Sequence, residues 1–168
     1  MTGTLAGDTL ILGVGNPLQG DDGIGIVAVQ QIAARPDLPA GVDVLDGGTA
    51  GLGLIPVLER YRRVILVDAV QMGEQPGTVR RFAWNDVRLR ERERALSLHQ
   101  SDLNEALALA EALCCLPPVL IVYGVQPQHT DWDQPLSDAV RRALPGLVDA
   151  LMTEVRSINS NGSQDSDH

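Results

Sequence analysis

The stretch "GVGNPLQGDDGIG", residues 13–25, follows a short apolar run and leads into "IVAVQQIAA". Read together, residues 8–34 are a strand, a glycine turn and a helix, the opening unit of an α/β chain. Residues 8–14, "DTLILGV", read as a buried strand. In 22–34 the apolar positions Ile24, Val27, Ala28 and Ile32 fall at helical spacing, with Asp21 or Asp22 as cap and Pro36 as stop. Gly15 and Gly20 have the spacing of a phosphate loop, but Asp21 and Asp22 stand where that loop needs Lys and Ser or Thr. A phosphate there would meet two carboxylates. At ~4 Å and an effective dielectric near ~20, each contact costs on the order of 4 kcal/mol. A helix dipole returns only about 0.3–2 kcal/mol, so ATP and GTP are poor ligands. The dinucleotide fingerprint fails as well, because Leu18 occupies its third glycine position.

The rest of the chain repeats the alternation. Strands are predicted at 42–46, 63–68, 78–83 and 119–125, the third near an edge because of its arginines. Helices are predicted after "GGTAG", over the charge-dense 85–96, over 101–115 and over 136–156, the last broken near Pro145-Gly146. This order predicts an α/β fold with a mainly parallel central sheet of about five strands. Residues 1–156 form one domain in this reading, and the polar 157–168 a disordered tail.

Composition narrows the function. The 168 residues carry a net charge of −9, which disfavours nucleic-acid backbones and anionic membranes. No apolar run is long enough for a membrane helix. The adjacent Cys114 and Cys115 make neither a disulfide framework nor a C-x-x-C motif; they are expected buried or half-buried at a helix end in a reducing, cytoplasmic setting.

In parallel sheets ligands bind beyond the carboxyl ends of the strands. That rule selects 13–22, 46–51, 68–71 and 124–130. Asp68 ends a strand and His99 precedes a helix. Each also has an ordinary reading: a helix cap for Asp22, a turn residue for Asp68, a loop histidine for His99. Two carboxylates and an imidazole on one rim would make a site for nickel, zinc, cadmium or iron. There is no H-E-x-x-H zinc-protease helix.

Five segments, "GVGNPLQGDDGIG", "LDGGTAGLGLI", "ILVDAV", "SLHQ" and "YGVQP", occur in that order. Together they resemble the hydrogenase maturation endopeptidases, from about residue 9 to about residue 150. The resemblance implies a three-layer α/β fold with helices on both sheet faces. It implies an endopeptidase that removes the C-terminal extension of a nickel–iron hydrogenase large-subunit precursor after nickel insertion. The family's metal-contacting positions carry over onto Asp22, Asp68 and His99. The nickel is expected to arrive with the substrate, and zinc or cadmium can fill the same site. "DGGT" matches a family loop near the cleft, with Asp46 as candidate base and Gly47, Gly48 and Thr49 as substrate-binding loop. The enzyme is expected to be monomeric. Two departures fall in the last loop: Gln128 replaces a frequent acid, and Pro135 stands where a glycine usually precedes "LS". A non-catalytic nickel-dependent chaperone for the precursor, and a nucleotide-binding regulator holding Mg²⁺ on Asp21 and Asp22, are the alternatives.

Overall fold

The computed structural model describes residues 8–98 and 101–162. Its strands are β1 (Thr9–Gly13), β2 (Val42–Asp46), β3 (Arg63–Gln71), β4 (Val79–Ala83), β5 (Ser97–Leu98) and β6 (Val119–Val125). The main sheet runs β2-β1-β3-β6-β4. The first four of these are mutually parallel, and β4 closes the edge antiparallel to β6. The short β5 pairs antiparallel with the end of β3. The central strands are near-continuous apolar runs because both their faces are covered. "VRRFA" sits at the edge, as its arginines predict, since exposed charge there discourages pairing with another chain.

Alternate residues of each strand feed two cores. Ile11, Ile65, Val67, Ile121 and Tyr123 pack with α1 (Ile24–Ala33) and α5 (Asp138–Gly162). Leu10, Leu12, Leu66, Val70 and Val122 pack with α2 (Ile55–Leu58), α3 (Trp84–Arg92) and α4 (Ser101–Ala112). The result is the expected three-layer α/β fold.

Several local expectations need correction. The aspartates of the opening loop lie in a separate 3-10 turn, Gly20–Gly23, ahead of α1. Gly23 is the N-cap of α1 and no side chain caps it. The strand expected at 63–68 continues to Gln71. The helix at the C-terminus does not break at Pro145-Gly146; α5 runs through both. Both residues are exposed, while Leu144, Leu147, Val148, Leu151 and Met152 on the opposite face are buried. Water can satisfy the carbonyl that Pro145 leaves without a donor, and the buried stripe outweighs the local cost of about 3 kcal/mol. The same helix continues to Gly162, past the boundary expected at residue 156; residues 163–168 lie outside the described residues. Cys114 is exposed and Cys115 half-buried.

The edge strand is tied to α5 by side chains. Arg81 donates two hydrogen bonds of 2.8 Å to Glu154, which also accepts the Tyr123 hydroxyl at 2.7 Å. These donors hold the Glu154 carboxyl below its ordinary range, Arg81 contributing most. A lowered folded-state pKa stabilises above the unfolded value and is lost as pH falls through the folded one. Glu154→Gln is therefore expected to unfold more readily at neutral pH. The difference should close as the pH falls below the usual glutamate range, measured as urea midpoints across pH.

Candidate active site

The chain goes from β1 to its neighbour β2, and β3 then enters on the other side of β1. The crevice of the sheet therefore opens beyond the carboxyl ends of β1 and β3. Here the strands differ in length. Gly13, the last residue of β1, pairs with Val67. Asp68 is the next residue of β3, still paired with β6 at Gly124, and so stands on regular strand where β1 has ended.

The opening loop is fitted against this step. Val14 donates its N–H to the Val67 carbonyl at 3.1 Å. Gly15 has φ +132°, and a Cβ there would lie 1.9 Å from the Asp22 carbonyl oxygen. Gly25 allows α1 to touch both strands, since a Cβ would lie 2.3 Å from the Val67 oxygen and 2.5 Å from that of Val14. The glycines thus bring the turn carrying Asp22 down onto β3.

Asp22 and Asp68 are both fully buried. Asp22 accepts the Asn16 N–H at 2.8 Å. Asp68 accepts the N–H of Ala69 with Oδ1 at 2.8 Å, while its buried Oδ2 has no hydrogen-bond partner among the described residues. Burial, and then the charge of Asp22, push the Asp68 carboxyl well above the usual carboxylate range; the Ala69 N–H opposes this. Such a pair can hold a cation.

The loop after β2 lies alongside. Gly47 donates to Gly13 O at 2.7 Å, and Gly15 donates to Gly48 O at 2.9 Å. Asp46 is exposed, and its Oδ1 accepts the Gly48 N–H at 2.9 Å, which shapes the turn. Thr49 is exposed at the mouth and Gly47 is buried. Leu98 of β5 pairs with Val70, two residues beyond Asp68. His99 follows and lies outside the described residues. Among the described residues no three His, Cys, Asp or Glu side chains are grouped to hold a metal.

Asp21 has a role its neighbour does not share. It is fully buried and accepts the N–H groups of Gln128, His129 and Ser137 at 2.8, 3.2 and 2.6 Å, and the Ser137 hydroxyl at 2.8 Å. This carboxylate fixes the last loop, 126–137, to the opening loop. Nothing in the doublet "DD" distinguishes the two aspartates, because Asp21's partners lie more than a hundred residues away. Gln126 has a role that no sequence pattern signals. Its side chain accepts the Met72 N–H at 2.7 Å and donates to Gln71 at 2.8 Å, joining the exits of β3 and β6. Gln128 binds Asp21 through its backbone alone, so the replaced acid leaves the staple intact.

The arrangement defines an α/β protein with two buried carboxylates at its switch point, in place of a phosphate cradle. Residues 26–154 match the family described as hydrogenase maturation protease. The chain is 34% identical over 149 residues to the hydrogenase expression/formation protein HupD of Rhizobium leguminosarum bv. viciae, covering 88% of this chain and 74% of that one. It is 30% identical over 154 residues to the hydrogenase 2 maturation protease of Escherichia coli (strain K12), covering 88% and 90%. The solved structure of the maturating endopeptidase HybD from E. coli superposes with a TM-score of 0.77 at 29% identity, over 89% of this chain and 92% of that one. The chain belongs to the hydrogenase maturation protease family and is an endopeptidase. The family match begins at residue 26; it includes Asp68 and His99 but starts after Asp22. No helix among the described residues is long and apolar enough to cross a membrane.

Proposed function

We propose that this enzyme removes the C-terminal extension of a nickel–iron hydrogenase large-subunit precursor after nickel insertion, and that Asp22, Asp68 and His99 recognise the nickel carried by that substrate. The observation that carries this reading is the buried Oδ2 of Asp68, without a hydrogen-bond partner among the described residues and beside a second buried carboxylate. Burying such a group unpaired is costly. A cation delivered by the substrate would relieve both the lost hydration and the like-charge repulsion. Oxygen and imidazole ligands suit nickel, and zinc or cadmium could occupy the same set.

A precursor without nickel lacks this anchor and is left uncut. The substrate chain runs along the mouth of the crevice, over Gly47, Gly48 and Thr49. Hydrolysis adds water across one peptide bond: a base takes a proton from the water, and the departing amine receives one. Asp46, exposed at the end of β2, is the candidate base. In this reading the enzyme works as a monomer in the cytoplasm, with no nucleic acid or membrane as partner.

The test is intact mass of the purified precursor, nickel-loaded and nickel-free, before and after incubation. One shortening at the C-terminus, seen only with nickel, is expected. Equal trimming of both forms would remove nickel from the recognition step. A stable complex with no trimming of either form would leave only a binding module.

A further inference from the structure

We infer that Leu18 and Trp132 form a docking edge beside the crevice, which seats an apolar side chain of the precursor flanked by lysine or arginine. The identity of the partner rests on the function proposed above. Leu18 is 61% and Trp132 62% exposed, the highest values among the exposed large apolar side chains of the described residues. They come from distant parts of the chain, yet the backbone holds their loops side by side. Asp133 donates its N–H to Leu18 O at 2.8 Å, Gly20 donates to Gln134 O at 3.0 Å, and Gln19 bridges to Gln134. The Asp21 staple lies directly behind.

Two apolar groups in a rigid frame differ from a hydrophobic residue on a fraying loop. The backbone that carries them is already held, so little loop entropy is lost when a partner covers them. Tryptophan is also among the residues enriched at the hot spots of protein interfaces. The edge is continuous with the site, because Asn16 of the same loop holds Asp22. Its charge selects the partner. Asp131 and Asp133 flank Trp132, both are exposed, and neither forms an ion pair among the described residues. On a chain of net charge −9, such an edge repels an acidic segment and favours a basic one.

The experiment uses the full chain and the purified precursor. Binding is read by titration and cleavage by KM and kcat. Trp132→Ala is expected to weaken binding and raise KM by about tenfold or more with kcat kept, and Trp132→Phe to restore much of the loss. Asp131→Asn with Asp133→Asn should weaken binding and flatten its salt dependence; Asn tolerates the left-handed backbone of Asp133, φ 58°. An unchanged thermal midpoint verifies the fold of each variant. In the wild type, emission from Trp132 should shift to the blue when precursor is added, since Trp84, the other tryptophan, is only 8% exposed.

Unchanged binding and KM in Trp132→Ala would overturn the docking edge while leaving the protease reading in place. Wild-type binding without trimming, still weakened by Trp132→Ala, would uphold the edge and overturn the C-terminal processing proposed above. Failure of the precursor to bind the wild type at all would overturn the edge.

Discussion

Asp68→Asn is expected to slow precursor trimming by about a hundredfold or more, the scale at which removal of one preorganised charge at a reaction centre is felt. It is also expected to raise the thermal midpoint. The wild-type side chain is fully buried, its Oδ2 has no hydrogen-bond partner among the described residues, and Asp22 lies close enough to act on its charge. An amide of the same shape removes the charge and keeps an acceptor for the Ala69 N–H. The gain should be on the order of 1–2 kcal/mol, as when a functional site is relieved of strain. A time course of intact mass and a calorimetric scan measure the two effects together. Full activity would take Asp68 out of the site, and a lowered midpoint would make it a structural residue. His99→Ala is the parallel substitution, expected to abolish trimming without lowering the midpoint.

Asp21→Ala is expected to act in the opposite way and cost about 3–5 kcal/mol of stability. The N–H and hydroxyl of Ser137 lose their acceptor in a buried place, and the N–H groups of Gln128 and His129 lose it in a partly buried one. Each unsatisfied buried donor costs about 1–3 kcal/mol, less what relaxation and entering water recover. The measurement is a urea unfolding curve, with amide hydrogen exchange at Gln128, His129 and Ser137. A midpoint equal to that of the wild type, with slow exchange kept at these amides, would show that the staple stabilises nothing. With the expected loss of stability, the adjacent Asp21 and Asp22 have opposite signatures: losing Asp22 removes function, as losing Asp68 does, and losing Asp21 removes the frame.

The contrast explains what was legible in the sequence. The sheet was, because "LIL", "VILV" and "VLIV" are short, β-branched-rich runs apolar on both faces, as buried parallel strands are. The rim was, because parallel strands put their ligand sites at one end. The edge position of "VRRFA" followed from its arginines. The continuity of α5 through Pro145 was not, since a local rule about proline was set against a buried stripe visible only once the helix is packed. The division of labour in Asp21-Asp22 was hidden for a similar reason. One carboxylate turns toward loop 126–137 and the other toward Asn16 and β3, and no local pattern encodes that choice. Nothing in the sequence pairs Leu18 with Trp132; the hydrogen bonds between their loops bring them together.

The overhang of β3 past the end of β1 has a consequence for how this architecture can diversify. Asp68 is carried by the middle of the sheet, the part of a domain that opens last and tolerates least change. The opening and last loops carry Leu18 and Trp132, and they are joined to one another largely through main-chain groups and a single carboxylate. The exposed side chains on those loops, Leu18 and Trp132 among them, can be exchanged without disturbing Asp21, Asp22 or the strand that bears Asp68. A descendant of this chain could thus acquire a new client by rewriting its periphery, with its chemistry inherited unaltered.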